Sequence, residues 1–335
     1  MSMKKSILFL SLVLPLLLIG QAKVGTSAAP FLGIDVGAVG IALGGSQVAR
    51  AQDASTIYWN PGATAQLKQN HLQFTSSNWL VDSKFQYAAG VIHISSVDAI
   101  GLSFTILDYG REEITDVNNQ SGTGQYWDAS DMAVSLNYSR MLTDRFSIGG
   151  TGKFIQQKIW HESASSIALD VGILFRTQMT GLQIGMSISN FGANMFLDGP
   201  DLLTRIDIDP DNTGNNETLV AKLKVDDYPL PLLFRLGVAY KHSLGSSTNI
   251  SILADALVPS DNVEVVNTGL ELSVFEKVFV RTGLKNIGNE SSLIEYSAGG
   301  GLKLPLNQML MSFDYSVQSY EYFGLIHTYG IEFLF

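Results

Sequence analysis

Cysteine is absent from this chain of 335 residues. Disulfide staples, thiolate nucleophiles and cysteine-ligated metals are therefore excluded. Charge is scarce, with Asp, Glu, Lys and Arg together at 16%, a low share for a domain surrounded by water. The net charge of -10 opposes a polyanion, so no nucleic-acid partner is expected. Past the first twenty residues no apolar run is long enough for a membrane-spanning helix, although mean hydropathy is positive at +0.17. Catalytic signatures are missing too. No G-x-S-x-G, H-E-x-x-H or phosphate-binding loop occurs, and the five histidines (His71, His93, His161, His242 and His327) are scattered. Neither an enzyme nor a cofactor or metal site is expected.

What the chain does contain is alternation. The first 22 residues stand apart: Lys4 and Lys5 precede an apolar stretch from Ile7 to Ile19, and Gly20-Gln21-Ala22 supplies small residues for cleavage. They read as a signal peptide. From His71 onward the period is two. Residues 98–109 set Ile100, Leu102, Phe104 and Ile106 against Ala99, Gly101, Ser103 and Thr105. Residues 164–176 set Ile167, Leu169, Val171 and Ile173 against Ser166, Asp170 and Gly172. A period of two is the signature of a strand with unlike faces. Fourteen such segments run from residue 71 to residue 335, and residues 84–95 place Phe85, Tyr87, Ala89 and Val91 on one face.

The connections alternate between short and long, with the long ones at 110–129, 158–163, 192–231, 259–263, 287–292 and 318–324. Outer-membrane barrels have short periplasmic turns and long outer loops. The last stretch puts Leu325, His327, Tyr329, Ile331, Phe333 and Phe335 in one phase, with Glu332 in the other. Strand edges that apolar must be paired in lipid or they aggregate. The expected fold is all-β: a transmembrane antiparallel β-barrel of about 14 strands in the outer membrane of a Gram-negative-type bacterium. Its apolar phase faces lipid, and its polar phase, including Asp131, Arg145, Lys153, Asp170, Arg235, Lys241, Glu271, Lys277, Arg281, Glu295 and Glu332, faces the lumen. An even strand count puts both termini on the periplasmic side. Tyr109, Tyr126, Trp127, Trp160, Tyr320, Tyr322 and Phe323 read as an aromatic girdle.

Residues 23–70 do not alternate. They are rich in Gly and Ala, and Asn60-Pro61 reads as an N-cap followed by the first residue of a short helix. The string from Gly37 to Leu67, with Asp53-Ala54 and then Tyr58-Trp59-Asn60-Pro61, resembles the N-terminal signature of the PorV/PorQ family, a branch of the FadL-like barrels. This chain has Gly62-Ala63 where that family usually has Ala-Gly. The resemblance implies that residues 23–70 form a hatch in the barrel lumen, with Asp53, Tyr58, Trp59, Asn60 and Pro61 as its motif. Phe335, with Phe333 and Tyr329, is similar to the C-terminal aromatic signal read by the barrel assembly machinery.

The long connection at 192–231 is the candidate contact surface, through Met195, Phe196, Leu197, Leu202 and Leu203. Loops of such length usually carry function. Asp207, Asp209 and Asp211 begin like a calcium loop, but Asn212 and Thr218 stand where Gly and Glu are needed. The resemblance implies a non-enzymatic component of type IX-like protein secretion, with translocon and cargo proteins as partners. The alternative is a FadL-like channel for hydrophobic small molecules such as long-chain fatty acids. Outer-membrane lipid is a partner on both readings, and a hydrophobic ligand or detergent in the barrel would fit the second.

Overall fold

The computed structural model describes residues 23–209, 211 and 218–335. The expected signal peptide at 1–22 lies outside the described residues. Strands appear in chain order as β1 (His71–Asn78), β2 (Lys84–His93), β3 (Asp98–Glu113), β4 (Tyr126–Thr143), β5 (Phe146–Ile159), β6 (Glu162–Arg176) and β7 (Leu182–Gly192). A small pair follows, β8 (Leu203–Ile206) and β9 (Leu219–Lys222). Then come β10 (Leu233–Ser243), β11 (Thr248–Pro259), β12 (Val265–Val274), β13 (Val278–Ile287), β14 (Ile294–Leu306), β15 (Met309–Tyr320) and β16 (Gly324–Leu334). All but β8 and β9 join one closed antiparallel barrel of 14 strands, with β10 beside β7 and β1 beside β16. Among the described residues no helix is long and apolar enough to cross a membrane.

The alternation in sequence becomes an outside and an inside. On β6, Ile167, Leu169 and Val171 are 68%, 60% and 52% exposed, while Ser166 and Asp170 between them are buried. An apolar exterior around a polar interior suits lipid outside the wall. The closing ladder pairs His71 with Leu334 and Ser77 with Thr328. Beyond it, the Asn70 and Phe335 main chains exchange bonds of 3.0 and 3.1 Å. The barrel itself keeps no open edge for another chain.

β2 departs from the expected polarity. Phe85, Tyr87, Ala89 and Val91 point into the bore and are buried, while Lys84 and Gln86 point outward. The reason is what fills the bore there. Phe31, Leu32, Val36 and Ile57 pack on these residues as one apolar core. Outside, the small residues of β2 leave a hollow of about 480 Å³ ringed by Phe74, Phe104, Phe313 and Tyr329. Two connections also differ from expectation. β3 and β4 pair past a register shift at Asp108/Arg111, up to Glu113–Tyr126, so much of 110–129 is strand. β5 and β6 pair as far as Ile159–Glu162, which leaves only Trp160-His161 between them.

Residues 30–67 form short pieces: 3-10 turns at Pro30–Gly33 and Pro61–Gln66, and helices α1 (Ala38–Ala42) and α2 (Thr56–Trp59). They are buried against inward-facing residues from both sides of the barrel. α1 packs on β13 to β16, and the Pro61–Gln66 turn packs on β3 to β7. The segment runs from the long-loop end, where Ala28 N donates to Pro229 O at 2.8 Å, to the short-turn end, where Arg176 donates to Gln66 O at 3.1 Å. The two barrel-closing strands thus meet at the short-turn end, but residues 23–29 lie at the opposite one. The reason is that the segment crosses the bore before the first strand begins.

Asn60 caps the turn, accepting from Gly62 N at 3.0 Å. Its amide also donates to Val48 O at 2.7 Å and to Ile173 O at 2.8 Å. One side chain therefore joins two parts of the segment to the wall. The expected short helix is a 3-10 turn, whose tighter radius brings Gly62 against Gly172, where a methyl group on Gly62 would strike the Gly172 carbonyl. Asn60→Ala strands buried carbonyls, so it is expected to cost about 1–3 kcal/mol for each lost partner. Gly62→Val is expected to overpack the contact by about 1–3 kcal/mol. Planar-bilayer recordings should show raised conductance for both variants relative to the wild type. Unchanged conductance in a folded barrel would show that this contact does not hold the segment in place.

Candidate functional site

The motif residues at 53–61 are engaged within the chain. Asp53 Oδ1 accepts from Ser55 N at 2.9 Å and from the Ser55 hydroxyl. Tyr58 Oη donates to Leu32 O at 3.1 Å. The Tyr58 and Trp59 rings meet edge to face at 4.8 Å. The Arg235 guanidinium lies 5.2 Å from the Tyr58 centroid and 5.7 Å from that of Trp59, a cation–π arrangement. These residues fasten the segment to itself and to β10. None of them opens onto the long-loop exterior.

The inward charges of the wall meet partners. Glu271 receives Arg50 at 2.7 Å and Arg281 at 2.6 Å, and Arg281 reaches Asp314 at 2.6 Å. Lys153 pairs with Asp170 at 2.6 Å, and Lys285 reaches Asp35 at 2.7 Å. Glu332 bonds His71 Nδ1 at 2.7 Å and accepts from Ala54 N at 3.1 Å. Arg50, Asp35 and Ala54 all belong to the segment in the bore. Pairing offsets the cost of burying charge; Arg50–Glu271 and Lys285–Asp35 bind segment to wall, while Lys153–Asp170 and Arg281–Asp314 join strand to strand. Arg145, Lys241, Lys277 and Glu295, expected in the same lumenal phase, are exposed instead. They lie near strand ends, where Lys241 meets Glu276 at 3.2 Å and Glu295 accepts from the Ser319 hydroxyl at 2.6 Å.

The described residues of the long connection between β7 and β10 are cross-linked to their surroundings. Met195 and Tyr228 exchange two main-chain bonds of 2.8 Å, and Ser163 and Asp198 exchange bonds of 2.8 and 2.9 Å. Lys222 Nζ sits 2.6 Å from Asp198, and its hydrogen bond holds that carboxyl below the usual carboxylate range. Held this way, the connection covers an open cavity of about 560 Å³ at the long-loop end. The cavity floor is Asp131 and Gln157, its near wall is Ala28, and its roof is Met195, Phe196 and Leu197.

Three of the five expected contact residues therefore share this cavity. Met195 is buried, so it is part of the wall rather than a docking surface. The antiparallel bridge to Tyr228 turns it inward. Leu202 ends the 3-10 turn Pro200–Leu202 and Leu203 begins β8, away from the cavity. Trp127, expected in the girdle, lines the cavity too. Tyr320 is buried and packs edge to face on Trp79 at 5.8 Å. Tyr329 is 62% exposed on the outer wall, and Phe335 is half exposed beyond its bond to Asn70. Asp131 was read only as one of many lumenal charges. Its place beside the cavity follows from the register of β3, β4 and β5, which no single strand reveals. Of the acidic stretch that begins like a calcium loop, Asn212 lies outside the described residues, and among the described residues no cluster of three potential metal ligands occurs.

One ladder of the wall stops short near the same end. The β13–β14 ladder stops at Gly283–Ser297, leaving Leu284–Ile287 of β13 outside it. In strand order that break lies across the barrel from the cavity.

No protein-family model matches the sequence, and no curated protein matches it. Solved structures do match in fold. The monoaromatic hydrocarbon channel CymD is similar with a TM-score of 0.59 at 10% identity, over 89% of this chain and 97% of that one. The Pseudomonas putida toluene transporter TodX gives 0.54 at 9% identity with the same coverages. A Pseudomonas aeruginosa FadL homologue gives 0.51 at 14%, again over 89% and 97%. At these identities the likeness is one of architecture: the chain has the 14-strand barrel fold of FadL-like proteins.

Proposed function

We propose that this chain is an outer-membrane channel for small hydrophobic molecules, with residues 23–70 as its hatch. The observation that carries the reading is the cavity at the long-loop end. It has the volume of a small-molecule site, it is lined chiefly by apolar groups, and residues 25–28 of its wall run directly into the segment that fills the bore. Solved structures of the same architecture include proteins described as hydrocarbon channels and toluene transporters. On this reading the partners are outer-membrane lipid, the barrel assembly machinery and the hydrophobic solute.

The secretion reading rests on the resemblance carried by the string from Gly37 to Leu67. Its residues bond within the chain, and no feature at the long-loop end favours a protein cargo over a small molecule. Translocon or cargo proteins copurifying from native membranes would restore it.

The channel reading is tested by filling the cavity. Ala164 lies on its wall and is buried, so Ala164→Trp places a ring where solute would sit. Proteoliposomes carrying the wild type are expected to take up labelled toluene faster than empty liposomes. The variant should lose about tenfold of that excess rate, equivalent to about 1.4 kcal/mol. Equal uptake with and without protein would remove the proposal.

A further inference from the structure

The floor of the cavity that carries the proposed function is a polar corner built around one carboxyl group. Asp131 projects from β4 between Tyr109 of β3 and Gln157 of β5. Tyr109 Oη donates to Asp131 Oδ2 at 2.8 Å, and Gln157 Nε2 donates to Asp131 Oδ1 at 3.0 Å. Each carboxyl oxygen thus faces a donor group, an arrangement that accommodates the carboxylate form at neutral pH. The Gln157 carbonyl is occupied as well, accepting from Ala29 N at 2.9 Å. The Tyr109 hydrogen and one Gln157 hydrogen are spent on Asp131. What the corner offers a ligand is mainly acceptor lone pairs.

Among the described residues no cation pairs with this carboxylate. Lys158 is the one cation among the described residues of the cavity wall, and its Nζ is already 3.0 Å from Asp128 Oδ2. Asp226 adds a second carboxylate on the wall. The cavity thus presents two carboxylates and one paired ammonium, among Trp127, Ala129, Ile159 and Phe196. An apolar carboxylate entering it would set like charges together in partly dehydrated surroundings. A hydroxyl would instead donate to Asp131 and keep every polar atom paired.

Resting on the channel reading above, we infer that the cavity selects uncharged apolar molecules bearing a hydroxyl and rejects those bearing a carboxylate. Asp131 is the specificity-determining residue, held in place by Tyr109 and Gln157. Fatty acids, expected from sequence as an example of the solute, are then poor ligands.

The test uses three probes of one shape: p-cresol, p-toluate and toluene. Binding is measured by equilibrium dialysis at neutral pH against the full chain in nanodiscs, with empty nanodiscs subtracted. The wild type is expected to bind p-cresol at least about tenfold more tightly than p-toluate, with toluene between them, a ratio within reach of one like-charge penalty at protein-like screening. Asp131→Asn removes the charge and keeps the shape, so the ratio should fall to within about threefold, chiefly through tighter p-toluate binding. Heat-dependent gel mobility verifies that the variant barrel is folded. Equal or tighter binding of p-toluate by the wild type overturns the inference, and so does an unchanged ratio in a folded Asp131→Asn barrel. Saturable toluene binding alongside either result leaves the channel reading standing. Absence of saturable binding for all three probes overturns both.

Discussion

Main-chain pairing in lipid is the constraint on which this structure depends. A strand in hydrocarbon has no water to satisfy its amides, so every ladder must find a neighbour on both sides. The chain meets this by returning its last strand to its first, from His71–Leu334 to Ser77–Thr328. Asn70 and Phe335 extend the pairing by one further exchange. Closure fixes the circumference, and the circumference fixes the bore. A circle of 14 strands is too wide for wall side chains alone to fill. The unalternating residues 30–67 occupy the remaining space, and their small side chains allow main chain to pass against main chain. Gly44 against Gly283 is such a contact, where a methyl group would meet neighbouring main chain.

Filling the bore decides where the charges go. A charged residue on an inward face of an open pore can rely on water, but here the same positions are dry. Arg281 therefore stands between Glu271 and Asp314, and Arg50 reaches Glu271 from the segment. Removing one partner of such a group leaves a buried charge without compensation, which costs more than the pair contributes. The network thus selects one seating of the segment over others. On the other side of the bore the same task falls to packing, where Phe31, Leu32 and Ile57 lie on the apolar inner face of β2. The segment is held by charge at one wall and by hydrophobic contact at the other.

This division explains which features were legible in sequence. Strand number and alternation were plain, because lipid on one side forces a period of two over long segments. The direction of β2 was not, since Phe85, Tyr87 and Val91 alternate equally well for lipid or for a plug. Only knowledge of Phe31 and Leu32 beside them decides it. Strand ends were misread where register shifts hide pairing, as at Asp108/Arg111. The Asn60-Pro61 turn was visible because its capping chemistry is local. The cavity was half visible: Met195, Phe196 and Leu197 stood out as apolar residues in a long loop, while Asp131 and Gln157 come together only through cross-strand register.

The cavity and the filled bore are not separable parts. Ala28 lines the cavity, and Ala29 N is bonded to the Gln157 carbonyl whose amide holds Asp131. Phe31, two residues on, is already in the apolar core against β2. A continuous main chain therefore joins the polar corner of the cavity to the packing that stoppers the barrel. Any solute that displaces Ala29 from Gln157 exposes an amide donor and an acceptor together, a cost of about 1–3 kcal/mol for each group left unpaired. A solute that donates to Asp131 leaves that bond intact. Selectivity at the mouth and retention of the segment are thus set by the same few hydrogen bonds.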